Sequence, residues 1–501
     1  MATHQLRLRL LILAQVALCA ALVWLYPLSA GLFKPRLGWA MQSGANPTSL
    51  VIHLSIYAGL FAIHFVSLKT LRGMIASGRV AGVGIVIWLG WAFCSFILLF
   101  SFPGESADVF DYAFRGRMMV EYGYSPLVTT PYELRDFPFH RYVSWSQWVD
   151  AYGPIWEYVS AAVAGVTRAL ASPADLAVVI NQTCENQLAV CHYLTKYVTA
   201  YRLLAIGLTG VCGWLIGRLV RREETQSAQL AFLLNPLTLI ATAVGAHNEP
   251  LLIGFVLLAV FAFVRSQFVI GLLLLVLAAH VKITALLVLP AFALWLLHQR
   301  GWRRTLSVLS GVGVIGIALS WLLYAPLGGW ASLPKNFFER TQISTNSWAE
   351  LVYLGLRFGL GWARFESQQI VARIAPMLFV LISLPFLWRW LRHRPDSPLA
   401  LPRWVGTLVL LYLLIGSYWF QAWYVLWPLA LLCCVPGKTS QITTTFGFAA
   451  LVSAIISDYL RSAELPGVGV WQISALAVAI ILIPVLLHTV LIRNREEQSP
   501  E

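Results

Sequence analysis

The sequence predicts an all-α polytopic membrane protein, on three observations. Of its 501 residues, 59% are hydrophobic and 11% charged, whereas soluble domains carry about 25% charged residues. The mean hydropathy is +0.73. Apolar runs recur along nearly the whole length without the alternation of barrel strands, and in lipid only helices or closed barrels satisfy every backbone group. The net charge of +13 calls for no nucleic-acid partner, because much of the Lys and Arg flanks apolar runs, as in cytoplasmic loops.

Run length and charged flanks predict about fourteen spans with both ends cytoplasmic, in one integral membrane domain over 1–501. The first run, 10–30, follows Arg7 and Arg9 and reads as a retained helix, since it lacks a small-residue cleavage site. The second, 50–68, returns to Lys69, Arg72 and Arg79, and the third, 80–102, leads out to Asp108. Residues 103–196 then form a large outer loop. Its apolar piece 155–171 is read as interfacial, because a further crossing there would turn Arg218, Arg221 and Arg222 outward. Spans follow at 197–220, 228–245 and 251–264. The run 268–297 is too long for one span and carries Lys282 near its middle, so it predicts two short helices meeting on the outer side. Span 306–327 leads to a second outer segment, 328–369. Spans 370–388, 404–419, 423–435, 442–459 and 471–492 complete the chain, which shows no internal repeat. Five of the seven cysteines lie in apolar runs. Cys184 and Cys191 lie in a polar outer stretch and could form a disulfide in an oxidising compartment.

The stretch Ser106-Ala-Asp-Val-Phe-Asp-Tyr-Ala-Phe-Arg-Gly-Arg117 organises the rest. It follows Pro103-Gly104, so Asp108 and Asp111 stand where a membrane helix meets water. Arg115 is four residues beyond Asp111 and can pair with it along a helix, as Arg117 can with Glu121. That pairing leaves Asp108 as the available carboxylate. The plainer reading is a capped surface helix with Ser106 or Asp108 as N-cap. In this topology Asp108, Asp111, Arg117, Tyr152, His247, Glu249, Lys282 and Gln421 converge on one outer rim. Ionisable groups at membrane depth cost a few kcal/mol on insertion scales (about 2.5–3.5), which makes each a functional candidate. Each also has a structural alternative: a helix cap for His247, snorkelling for Lys282, interfacial packing for Tyr152 and the aromatic stretch 418–424. No metal-spaced His/Cys cluster, nucleotide loop or serine-nucleophile motif is present, and His247 with Glu249 is a weak metal signal.

Several segments resemble one family in order. These are Ser106–Arg117 with Tyr122-Gly-Tyr-Ser-Pro126, Tyr152-Gly-Pro-Ile-Trp156, Asn235-Pro236-Leu237 with Gly245-Ala-His-Asn-Glu249, Lys282 with Pro290, and Gln421-Ala-Trp-Tyr424 with Trp427-Pro428. They are similar to motifs of GT-C fold glycosyltransferases that use polyprenyl-phosphate sugars, nearest to the bacterial polyprenyl-phosphate-mannose mannosyltransferases. In that family an Asp-Gly-Arg triplet stands where this chain has Arg115-Gly-Arg117, and an Asp where it has Glu249. The resemblance implies a GT-C bundle with interfacial helices in the first outer loop. It also implies an inverting hexosyl transfer, with mannose as the expected sugar, to a glycan or glycolipid hydroxyl at the outer face of the plasma membrane.

The chemistry needs a carboxylate to take the hydroxyl proton and cations or donors to stabilise the leaving phosphate. Asp108 suits the first role. Lys282, with His247 and Arg117, suits the second, while Tyr152, Gln421, Trp423 and Tyr424 can pack on donor sugar or isoprene. Asp111, Arg115 and Glu249 support. The lipid-linked sugar is a co-substrate, and the logic requires neither a metal nor another cofactor. The competing class is a polyprenyl-glycan flippase or secondary transporter, which should place polar residues near the midplane or show related halves.

Overall fold

A computed structural model describes residues 2–33, 38–78, 80–330, 333, 343–435 and 439–497. Arg79 and part of the second outer segment, residues 331–332 and 334–342, lie outside the described residues. The described chain is a bundle of α-helices; its only β pairings are isolated bridges, Pro27 with Ser101 and Thr345 with Trp419.

Among the described residues, seven helices are long and apolar enough to cross a membrane: His4–Leu25, Pro47–Ala76, Leu188–Leu219, Ile283–Leu327, Arg364–Arg392, Gln441–Ala463 and Val470–His488. The pair Thr225–Leu233 and Pro236–Val244, bent by 52°, makes an eighth if taken as one span. Val83–Leu98, Glu249–Val264, Phe268–Ala279, Ala400–Gly416 and Ala422–Leu432 are shorter apolar helices. The expectation of about fourteen crossings counts these shorter helices as well. Many of the exposed large hydrophobics, such as Trp24, Val314, Leu381 and Leu486, sit on the long helices, as lipid-facing surface requires.

Proline and asparagine set the breaks. Asn235 caps the Pro236–Leu239 helix by accepting from Leu237 N at 3.0 Å. The chain then makes a π-helical turn, Ile240–Val244, before the Gly245–Asn248 bend. The apolar run through 268–297 divides at Lys282, which lies in extended conformation between Phe268–Ala279 and the 3₁₀ turn Ile283–Val288. The long helix that follows is broken at Gly301, beside Arg300, Arg303 and Arg304.

In the first outer loop the helix Asp108–Val120 packs against Pro154–Ala169 and Leu188–Leu219. This corrects the surface-helix reading, because every residue from Asp108 to Met118 is buried. Its N-cap is Ala107; Ser106 contributes instead by accepting from Asp108 N at 3.1 Å. Pro154–Ala169 has 16 residues, short of the roughly 20 that a span needs. Cys184 and Cys191 are disulfide-bonded, with Cα atoms 4.9 Å apart. The Cys184 backbone N–H also donates to Tyr142 Oη at 3.0 Å, and that hydroxyl donates to Leu32 O at 2.8 Å. The loop is thereby tied to the N-terminal helices.

Candidate active site

Four separate stretches meet at one cluster. The first is Glu105–Asp108, entering the Asp108–Val120 helix. The second is the Gly245–Glu249 bend after the π-helical turn. Its shape is set by Gly245 N donating to Ile240 O at 2.9 Å and His247 N to Ala241 O at 3.1 Å. The third is the break at Lys282, and the fourth is the 3₁₀ turn Ala422–Val425.

Arg202 registers the first two stretches. It is fully buried on Leu188–Leu219. Its guanidinium donates to Val244 O through Nε at 2.9 Å and Nη2 at 2.7 Å, and to Leu99 O through Nη1 at 2.6 Å. Helix ends leave carbonyls unpaired. One arginine therefore satisfies the end of the π-helical turn and the end of Val83–Leu98, joining the approach to His247 with the approach to Asp108. Sequence reasoning passed over Arg202; an arginine in mid-span was its one signal.

The third stretch is joined to the first outer loop through Gly153. Gly153 N donates to Val281 O at 2.9 Å and Ile155 N to His280 O at 3.0 Å. A Cβ on Gly153 would fall 2.1 Å from His280 O, so only glycine allows this approach. The Tyr152-Gly153-Pro154 motif thus docks its tyrosine beside Lys282.

Within the cluster, His247 Nδ1 lies 3.5 Å from Asp108 Oδ2. That is an ion-pair distance, longer than a formed hydrogen bond. The His247 ring is stacked on Trp423, with centroids 3.8 Å apart and planes 16° apart. Burial works to raise the Asp108 carboxyl, but His247, the Ser106 hydroxyl and Lys282 together hold it below the ordinary aspartate value. An anionic base is the outcome.

Lys282 is not a free cation: its Nζ donates to Glu249 Oε1, and Glu249 is fully buried. Lys282 Nζ also lies 4.9 Å from the Tyr152 ring centroid and 5.2 Å from that of Tyr424, within cation–π range. An ammonium has three donors, so one bond to Glu249 leaves others for an anionic ligand. The Tyr152 hydroxyl is 3.1 Å from that of Tyr112 on the Asp108 helix. Gln421 is half-buried and precedes the Ala422–Val425 turn, with no side-chain capping bond.

Two expected arrangements are corrected. Asp111 and Arg115 do not form the helical ion pair. Asp111 instead accepts from Ser144 N and Trp145 N, both at 3.1 Å. Arg115 faces Asp150 at 3.5 Å and donates to the carbonyls of Trp145 at 3.2 Å and Trp148 at 3.0 Å. The 144–150 loop folds over this helix, and several bonds to buried partners outweigh an i,i+4 pair worth a few tenths of a kcal/mol (~0.2–0.5). Burial pushes the Asp111 carboxyl up to about 7, against the pull of Arg115 and the two N–H donors. Arg117 stands away from the cluster, nine residues and about 14 Å along the helix from Asp108. It forms a bidentate pair with Glu121 at 2.9 and 2.6 Å, donates to Pro138 O at 3.2 Å, and lies over Phe139.

The structure adds a carboxylate that sequence reasoning missed. Glu105, three residues before Asp108, has both carboxylate oxygens buried without a hydrogen-bond partner. Burial pushes it up to about 7, moderated by His247 and reinforced by Asp108 and Glu249. The signal in the sequence was its place directly after Pro103-Gly104.

The family described as alpha-(1->6)-mannopyranosyltransferase, N-terminal domain, matches residues 10–299, and glycosyltransferase family 87 matches residues 187–417. An alpha-(1->6)-mannopyranosyltransferase A of Mycobacterium tuberculosis is 26% identical over 383 residues, covering 74% of this chain and 68% of the relative. The protein of the same name from Corynebacterium glutamicum is 25% identical over 256 residues, covering 46% of this chain and 47% of the relative. The first match spans more than half of the chain and contains Asp108, Tyr152, His247, Glu249 and Lys282, so this polytopic α-helical protein is a glycosyltransferase that belongs to the alpha-(1->6)-mannopyranosyltransferase family.

Proposed function

We propose that this chain transfers a mannosyl group from a polyprenyl-phosphate donor to a hydroxyl of a glycan or glycolipid acceptor, with inversion, at the outer face of the membrane. The observation that carries the reading is the ionised Asp108 beside His247, with Lys282 nearby between two tyrosine rings. The acceptor oxygen attacks the anomeric carbon as the bond from that carbon to the phosphate oxygen breaks. Asp108 takes the acceptor proton, and the lipid phosphate leaves with the bonding electron pair. Lys282 stabilises the charge gathering on that phosphate, which is electrostatic catalysis in a site of low dielectric. His247, stacked on Trp423, orients Asp108. Because the base and the cation are both side chains, the step can proceed without a metal. The relatives are named for α-linked products, so an inverting reaction giving that linkage consumes a β-linked donor.

Purified protein offered a panel of polyprenyl-phosphate hexoses tests the reading. Consumption of the β-mannosyl phosphate with formation of an α-mannoside is the expected result. Retention of configuration, or preference for a nucleotide sugar, overturns it.

A further inference from the structure

Asp150 is a buried carboxylate to which the proposed chemistry gives no task. It ends the loop that folds over the Asp108–Val120 helix and stands two residues before Tyr152. Its backbone N donates to Pro126 O at 2.8 Å. Its Oδ1 accepts from Ala151 N at 2.6 Å and from Tyr152 N at 3.3 Å. Its Oδ2 faces Arg115 Nε at 3.5 Å, and both side chains are buried. The same guanidinium donates to the carbonyls of Trp145 and Trp148, so one arginine holds the loop at Trp145, Trp148 and Asp150. Glu157, fully buried on Pro154–Ala169, does not compete for that arginine. Burial pushes the Glu157 carboxyl well up and Asp150 reinforces the shift, so Glu157 keeps its proton.

The loop so held delivers Tyr152 to Lys282. Asp150 accepts from the Tyr152 backbone N–H, and the Tyr152 hydroxyl lies 3.1 Å from that of Tyr112. Tyr112 precedes Arg115 by three residues, on the same face of one helix. The Tyr112 and Tyr152 ring centroids are 5.6 Å apart. One helix therefore ties Tyr152 twice, its backbone through Arg115 and Asp150 and its ring through Tyr112. The next residue, Gly153, bonds to Val281 O, immediately before Lys282. The outcome is a Tyr152 ring centroid 4.9 Å from Lys282 Nζ. A lysine ammonium on its flexible four-carbon stem can take many positions. Here Glu249 fixes it from one element and the Tyr152 ring from another.

We propose that Asp150 is a positioning residue for the donor phosphate: paired with Arg115, it sets the Tyr152 ring against Lys282 and so fixes where the ammonium meets the phosphate. The assignment rests on the transfer reaction proposed above. It adds a chain of contacts, from Arg115 through Asp150 and Tyr152 to Lys282, by which the 144–150 loop governs the donor and not the acceptor.

The test uses the full chain in lipid nanodiscs, with polyprenyl-phosphate mannose as donor and an alkyl α-mannoside as acceptor. Asp150→Asn keeps an oxygen for the Ala151 and Tyr152 N–H groups but loses the charge that faces Arg115. Its kcat/KM for the donor should fall roughly threefold to thirtyfold, the worth of one cation–π contact, while the acceptor KM stays level. Arg115→Lys keeps the charge and loses the planar fork. It approaches the same pair from the other side and should lower the same parameter. Tyr152→Leu removes the ring through which Asp150 acts. Asp150→Asn should therefore cost little more when added to Tyr152→Leu, whereas a contribution to the fold alone would add in full. Additive losses overturn the assignment. So does an acceptor KM that rises as much as the donor KM, or a lower melting temperature with unchanged donor kinetics. Failure of both Asp150→Asn and Arg115→Lys to fold would give the pair to the fold alone and overturn it too. Absence of mannosyl transfer by the unaltered chain instead overturns the reaction on which the assignment rests.

Discussion

Asp108 and His247 meet at 3.5 Å, Oδ2 to Nδ1, although they lie on opposite sides of the long Leu188–Leu219 helix in the chain. Arg202 on that helix ties together the backbones leading to both. The pair is thus assembled by a buried crosslink.

Asp108→Asn preserves shape but cannot hold a proton. A general base contributes about a hundred- to ten-thousandfold. The variant should lose transfer by that factor while still binding the lipid-phosphate donor, measured as turnover against equilibrium donor binding. Asp111→Asn should cost activity far less, because Asp111 holds the backbone of Ser144 and Trp145. Near-normal turnover by Asp108→Asn, or a larger loss from Asp111→Asn, moves the base elsewhere.

Lys282 and Glu249 should separate kinetically. Lys282→Ala removes a cation that both the bound phosphate and the departing phosphate need, so the donor KM should rise and kcat should fall together. It also leaves Glu249 buried and unpaired, so thermal stability should drop. Glu249→Gln retains an acceptor for the ammonium, and its loss of activity should be the smaller. Steady-state kinetics with varied donor decides, and a Lys282→Ala variant with unchanged donor KM removes the lysine from phosphate binding.

Arg202→Lys keeps the charge but not the planar fork that reaches Val244 O and Leu99 O together. Each carbonyl left unpaired in the interior costs about 1–3 kcal/mol. The variant should melt at a lower temperature and turn over more slowly, with donor binding less affected than kcat. Thermal unfolding in detergent alongside kinetics checks this. Stability and turnover equal to the unaltered chain would show that the Gly245–Glu249 bend is held by other contacts.

Topology is open to cysteine labelling. If Pro154–Ala169 lies along the interface, a cysteine at Ser172 should react with impermeant reagent from outside, and one at Arg222 only from the cytoplasm. The reverse pattern at either position would make that helix a crossing and invert the chain beyond it.

The helical membrane character was legible in the sequence because it depends on local quantities. Apolar run length, and punctuation at Pro103-Gly104, Asn235-Pro236 and the Lys282 break, mark where helices form and stop whatever packs around them. The same punctuation put Asp108, His247 and Lys282 at helix ends, where polar groups can meet. Spacing could not assign their partners. It offered Arg115 to Asp111, yet the structure gives Arg115 to Asp150 and Asp111 to the backbone of Ser144 and Trp145. It offered Lys282 no partner, yet Glu249 pairs with it. It gave no role to Arg202 or to Glu105. Local helical pairs are worth only tenths of a kcal/mol (~0.2–0.5), whereas an unpaired charge in the interior costs several (~3–5 when one partner of a buried pair is removed). Which charges pair is therefore decided by which segments the fold buries together, and only the tertiary structure contains that information.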